Sequence, residues 1–189
     1  SSTDWEDKDT LLVATDWGEG SLTKSGYPRI TKRWKRGTPL TEAETIIEGS
    51  VDDMGVWPMV FHHPDGTFTG AVKYKTFFTS EYYLAGKDGK LMKLPLQDSA
   101  KLKGYYEGRI LFSLREAWEV GETTHPQGAL LAFDKEAWLT SGSLPTLETV
   151  YVPDERTSIR GVSESKSGLF ITLLQNVRGK VLKFAVDKA

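Results

Sequence analysis

Gly108-Arg109-Ile110-Leu111-Phe112-Ser113-Leu114 and Gly168-Leu169-Phe170-Ile171-Thr172-Leu173-Leu174 are two Gly-led runs, apolar at almost every position. Each precedes a second Gly-led run, Gly128-Ala129-Leu130-Leu131-Ala132-Phe133 and Gly179-Lys180-Val181-Leu182-Lys183-Phe184. A short continuous apolar run bounded by Gly reads as a strand buried on both faces. In an open antiparallel sheet with one wet face, strands alternate instead. Buried strands within a meander fit stacked small sheets, as in a propeller whose four-stranded blades surround an axis. The second run of each pair carries Lys or Ala and is expected to be partly solvated.

The same pairing extends outward. Lys90–Leu96 follows Glu81–Ala85, and Arg29–Lys35 follows Leu11–Ala14, as further copies of the repeat. Strands are expected at 10–15, 28–35, 44–48, 56–63, 67–78, 81–85, 90–96, 108–114, 128–134, 147–152, 157–163, 168–174 and 179–186. Asp65-Gly66, Asp88-Gly89 and Arg178-Gly179 read as hairpin turns. One helix is expected at 134–140, with Asp134 as N-cap and Gly142 beyond its end. Thr41-x-x-Glu44 has capping-box form, but Ile46, Ile47 and Gly49 follow too soon, so the stretch reads as a turn entering a strand. The fold class is therefore all-β, with one short helix. At roughly 40–50 residues per blade, 189 residues supply three to four antiparallel blades. An arc of a larger ring is a simpler reading than a closed four-bladed ring, and it would leave blade faces and edges uncovered.

Composition narrows the function. Lys plus Arg is 24 and Asp plus Glu is 26, for a formal charge of −2, which gives no long-range attraction to nucleic acid or anionic lipid. The absence of Cys excludes disulfides, thiol catalysis and thiolate zinc sites. It leaves cytoplasm and periplasm both open, the cytoplasm being favoured. No apolar run approaches a membrane span. The acidic start Ser1–Asp7 is unlike a signal peptide, and its lack of Met suits an excised or processed chain.

Several clusters invite sharper readings. His62 and His63 are neighbours on a strand and point to opposite faces, so they are not expected to chelate a metal together. Asp4, Glu6, Asp7 and Asp9 lack the glycine-punctuated calcium-loop pattern and read as a solvated loop. Arg29, Lys32, Arg33, Lys35 and Arg36 surround Trp34, and read as cationic stems covering a strand with their heads in water. The Trp residues, among them Trp5, Trp17, Trp118 and Trp138, are expected to wedge blades together rather than stack on sugars. No cofactor and no metal is expected.

Longer stretches are more specific. Asp4–Gly18 and Ser25–Gly37 resemble the N-terminal propeller of bacterial members of the prolyl oligopeptidase family of serine peptidases. Phe77–Leu84, Glu155–Ser158 with Gly161-Val162-Ser163, and Asn176–Lys180 resemble it too, in family order along nearly the whole chain. The resemblance implies that the chain, read as one unit over 1–189, is an internal part of a seven-bladed propeller. In that family the propeller caps an α/β-hydrolase domain bearing a Ser-Asp-His triad and admits short peptides. The partners so implied are that catalytic domain of the same parent chain and oligopeptide substrates, with self-association through exposed blade edges. Nucleic acid and membrane are not expected partners.

No G-x-S-x-G nucleophile elbow occurs; Gly161-Val162-Ser163-Glu164-Ser165 comes nearest and ends in Ser. No catalytic residue is therefore assigned, and the chain itself is expected to be inactive. Ser80, Glu81, Arg156, Thr157 and Ser158 are polar groups beside strongly apolar strands, where a desolvated charge must find a partner. They either tie neighbouring blades or line the channel or interdomain face. A free-standing β-sheet module binding carbohydrate or protein is the alternative reading.

Overall fold

A computed structural model describes residues 1–165 and 168–184. Contacts divide the chain into two compact units, Ser1–Asp98 and Ser99–Ala189. Unit 1 holds two four-stranded antiparallel meanders. The first comprises β1 (Ser2–Trp5), β2 (Thr10–Ala14), β3 (Ile30–Lys35) and β4 (Glu44–Glu48). The second comprises β5 (Gly55–His63), β6 (Gly66–Tyr74), β7 (Ser80–Ala85) and β8 (Leu91–Lys93). They pack at their first strands, β1 against β5. Leu12, Ala14, Val56 and Ala71 are fully buried.

Unit 2 contains β9 (Lys101–Tyr106), β10 (Arg109–Ser113), β13 (Leu130–Asp134) and β14 (Glu148–Tyr151) in one sheet. A small hairpin, β11 (Trp118–Val120) with β12 (Thr123–His125), interrupts it between β10 and β13. A further sheet runs β15 (Thr157–Ser165), β16 (Gly168–Gln175) and β17 (Arg178–Phe184). These two sheets also meet at their first strands, β9 and β15. Leu111, Leu130 and Ala132 from one sheet form a core with Leu169, Ile171 and Leu173 from the other. On the opposite face Phe112 meets Phe133 at 6.0 Å and Trp118 edge-on at 6.1 Å. The expectation of strands buried on both faces thus holds in β10.

Helix α1 (Lys135–Ser141) begins as expected. Asp134 accepts from the Ala137 amide at 2.7 Å, and Gly142 closes the helix with φ 68°. The Thr41 stretch is a short 3-10 turn, Leu40–Glu42, that leads into β4 without a side-chain cap.

Several expectations are corrected. β13 is buried from Leu130 to Phe133 rather than partly solvated, because both its faces carry apolar contacts. The copy at 81–85 and 90–96 is displaced within its sheet: it forms the third and fourth strands, and the buried second strand is β6. Strand 67–78 stops at Tyr74, where the 75–79 turn begins. The turns also sit slightly earlier than read. Pro64 and Asp65 form the first, and Asn176 and Val177 form the last. The final two positions of the 179–186 strand, 185 and 186, lie outside the described residues.

The acidic start is a solvated loop only in part: residues 6–9 bend between β1 and β2 and Asp7 is exposed, but Asp4 and Glu6 are engaged. Ser2–Trp5 is a strand, Asp4 accepts the Val60 amide at 2.8 Å, and Glu6 receives Arg33 through Nε at 2.7 Å and Nη2 at 2.9 Å. Glu6, just after β1, and Arg33, on β3 of the same sheet, satisfy each other's charge while Asp4 reaches across to β5, pairings that hydropathy cannot register. Three of the basic heads on and beside β3 are paired rather than simply hydrated, Arg33 with Glu6, Arg36 with Asp9 and Arg29 with Glu48, while Lys32 lies over the Trp17 ring.

Candidate functional site

The five polar positions fall into two groups, each within one unit. Ser80 and Glu81 open β7. Ser80 is buried, and its amide donates to the Asp98 carbonyl at 2.7 Å. Strand alternation places Glu81 and Tyr83 on one face, and the register sets Tyr83 opposite Lys93. Glu81 therefore accepts the Tyr83 hydroxyl and the Lys93 ammonium, both at 2.8 Å. Burial alone would raise the Glu81 carboxyl, but hydrogen bonds from Lys93 and Tyr83 outweigh it and hold the group low. Burial, followed by the adjacent Glu81, pushes the Tyr83 phenol well above its ordinary value. Nearby, the buried Asp53 binds Lys75 at 2.5 Å and keeps that ammonium protonated above its usual range. This is a set of mutually paired charges that fixes one face of the sheet.

Arg156, Thr157 and Ser158 lead into β15. The structure does not desolvate Arg156, as its apolar neighbours suggested. Its side chain is exposed, its amide donates to Asp154 Oδ1 at 3.0 Å, and its carbonyl accepts from Asn176 at 3.0 Å. It is a turn residue, so its charge meets water. Thr157 is buried and Ser158 exposed, and both line a cleft of about 710 Å³.

The cleft lies at one end of the β9–β10–β13–β14 sheet, where β9 and β13 begin and β10 and β14 end. The β14–β15 connection contributes Asp154 and Glu155, while Lys101, Lys103 and Arg115 supply three cations. A bulge aims these side chains: Leu111 pairs with Gly104 and Phe112 with Leu102, so Lys103 is the extra residue. Gly104 supplies the φ of 142° that the bulge needs. Burial depresses the Lys103 ammonium, and burial followed by the charges of Arg115 and Lys103 depresses that of Lys101. Sequence reasoning missed these three residues because β9 was not recognised as a strand. The available signal was Lys101 and Lys103 in a stretch without Asp or Glu from Ser99 to Tyr106, with Arg115 just after the apolar run.

His62 bridges the Trp5 carbonyl at 2.8 Å and the Thr67 hydroxyl at 3.2 Å, a structural role. Among the described residues, no three His, Asp or Glu side chains gather as metal ligands. No helix among them is long and apolar enough to cross a membrane.

Antiparallel meanders, three of four strands and one of three among the described residues, each meeting its neighbour within a unit at the first strand, define a partial β-propeller. No family model matches the chain. An uncharacterized peptidase of Sinorhizobium fredii is 32% identical over 99% of this chain, which spans 27% of that protein. An uncharacterized peptidase of Rickettsia prowazekii is 24% identical over 97% of the chain, which spans 26% of that protein. The solved structure of a post-proline cleaving enzyme from Rickettsia typhi superposes with a TM-score of 0.88 at 22% identity. That match covers 98% of this chain and 28% of the enzyme. A prolyl endopeptidase structure gives 0.62 at 12% identity, over 91% of this chain and 24% of its own. The chain is thus similar along nearly its whole length to about a quarter of these peptidases, and its sheets match a partial propeller domain of the prolyl oligopeptidase fold.

Proposed function

We propose that this chain is a non-catalytic propeller segment of a prolyl-oligopeptidase-like serine peptidase, gating peptide access to an α/β-hydrolase domain elsewhere in the parent chain. The observation that carries this reading is the match itself. The chain is 32% identical along 99% of its length to a peptidase of which it spans 27%, and its sheets superpose on 28% of a post-proline cleaving enzyme. The absence of a G-x-S-x-G elbow from these 189 residues supports the assignment of chemistry to another domain. A propeller suits gating because rigid stacked sheets admit a narrow extended peptide and exclude a folded domain.

Two assays test it. The purified 189-residue chain is expected to leave a proline-containing peptide intact, whereas the full-length parent cleaves it and spares folded proteins. Turnover by the chain alone overturns the non-catalytic role. Equal digestion of folded proteins and short peptides by the parent overturns the gate. The chain is also proposed to self-associate, because β17 forms the edge of a three-stranded sheet and exposes Val181. Light scattering that shows a strict monomer at high concentration would count against this.

A further inference from the structure

We propose that the cleft at Lys101, Lys103 and Arg115 receives the C-terminal carboxylate of a peptide substrate. The inference rests on the peptidase reading above and names a substrate class for it. Most cations near acids in this chain are already engaged: Arg33 with Glu6, Lys75 with Asp53, Lys93 with Glu81 and Arg109 with Glu148. Lys103 differs. It is half-buried and makes no hydrogen bond or ion pair with any described residue, and burial alone moves its ammonium. A partly desolvated cation without an acid is costly, and an incoming anion relieves that cost. The bulge that sets Lys103 in this position is a device often found beside binding sites.

The rest of the lining selects the kind of anion. Lys101 and Arg115 add positive charge, and Arg115 offers the planar fork that matches a carboxylate. Asp154 and Glu155 stand in the same cleft and oppose a polyanion such as a nucleic acid or polyphosphate. A single carboxylate followed by peptide amides suits both halves, since Thr157, Ser158 and the two acids can meet amide groups. A volume of about 710 Å³ accommodates a few peptide residues.

The test uses the full-length parent peptidase with matched proline-containing peptides, one ending in a free carboxylate and the other in an amide. KM for the acid is expected to be roughly tenfold lower, the worth of one charge-assisted hydrogen bond. Lys103→Gln should raise KM for the acid by about that factor and leave the amide unchanged, while Lys103→Arg retains the preference. Equal KM values for acid and amide in the unmutated enzyme overturn this inference and leave the gating role standing. A Lys103→Gln enzyme that loses affinity for both peptides alike overturns it too. Cleavage of neither peptide by the parent overturns the peptidase reading and this inference together.

Discussion

Val177 occupies the second position of the two-residue turn between β16 and β17, with φ 65° beside Asn176 at 48°. Both positions are left-handed, as a type I′ turn requires, and such turns favour Asn followed by Gly. Asn176 tolerates this conformation; a β-branched side chain, 88% exposed and contributing little packing, does not. Val177→Gly is expected to stabilise the chain by roughly 0.5–1 kcal/mol, part of the strain relief being offset by unfolded-state entropy. A thermal melt should show the gain, and a lowered midpoint would refute it. Glu6 carries a second residue-scale prediction. Burial acts to raise its carboxyl, but the Arg33 hydrogen bonds, Thr69 and the Arg33 charge prevail, so its folded value lies below 4.5. A depressed carboxylate stabilises the fold above its unfolded value, and that stability is lost as pH falls through the folded value. Urea midpoints should therefore fall below about pH 4.5 in the parent sequence and less steeply in Glu6→Gln. At neutral pH Glu6→Gln should cost roughly 1–3 kcal/mol, because Arg33 loses its charged partner. The residues of this pair were visible in the sequence, but their pairing was not, since Glu6 and Arg33 lie far apart in the chain.

At the level of elements, β6 has little room between its neighbours. A Cβ placed on Gly70 would lie 2.4 Å from the Tyr83 carbonyl oxygen and 2.7 Å from Leu84 Cδ2. The first is backbone of the paired strand β7, so the sheet itself must shift. Gly70→Ala is expected to destabilise by roughly 1–3 kcal/mol, measured as a lower urea midpoint with an unchanged slope. An unchanged midpoint would mean that the strand can move away. The cap of α1 gives a milder case: Asp134→Ala removes the bond to the Ala137 amide and should cost about 1 kcal/mol. Which elements could be read from the sequence follows from burial. β2, β10 and β16 declared themselves through continuous apolar residues, and α1 through its two ends. β1 and β9 did not, because Asp4 in the one and Lys101 and Lys103 in the other read as loop charges. Lys101-Leu102-Lys103-Gly104 looks like a surface loop until β10 is placed beside it. β11 and β12 were legible in principle from the Gly121-Glu122 pair between two short β-prone runs.

For the whole molecule, Gly-led spacing and chain length were enough to suggest three to four blades, but not the division at Asp98. Gln97-Asp98-Ser99-Ala100 is too short and too ordinary to read as a linker. The division nevertheless has a physical consequence. Unit 1 encloses Leu12, Val56, Tyr82 and Leu84, and unit 2 encloses Phe112, Phe133, Trp138 and Ile171, so each half owns large buried side chains. Each unit also closes its sheets against one another at first strands, β1 with β5 and β9 with β15. A chain of about a hundred residues with such a core is large enough to fold alone. Residues 1–98 and 99–189, expressed separately, are therefore expected to give β-sheet circular dichroism and a cooperative melt each. Glu6→Gln should lower the midpoint of 1–98 and Gly128→Val that of 99–189, the latter because Gly128 holds φ 84° against Pro153. A half that melts without cooperativity would show that its core depends on the other half, and stability would then belong to the four sheets together rather than to pairs.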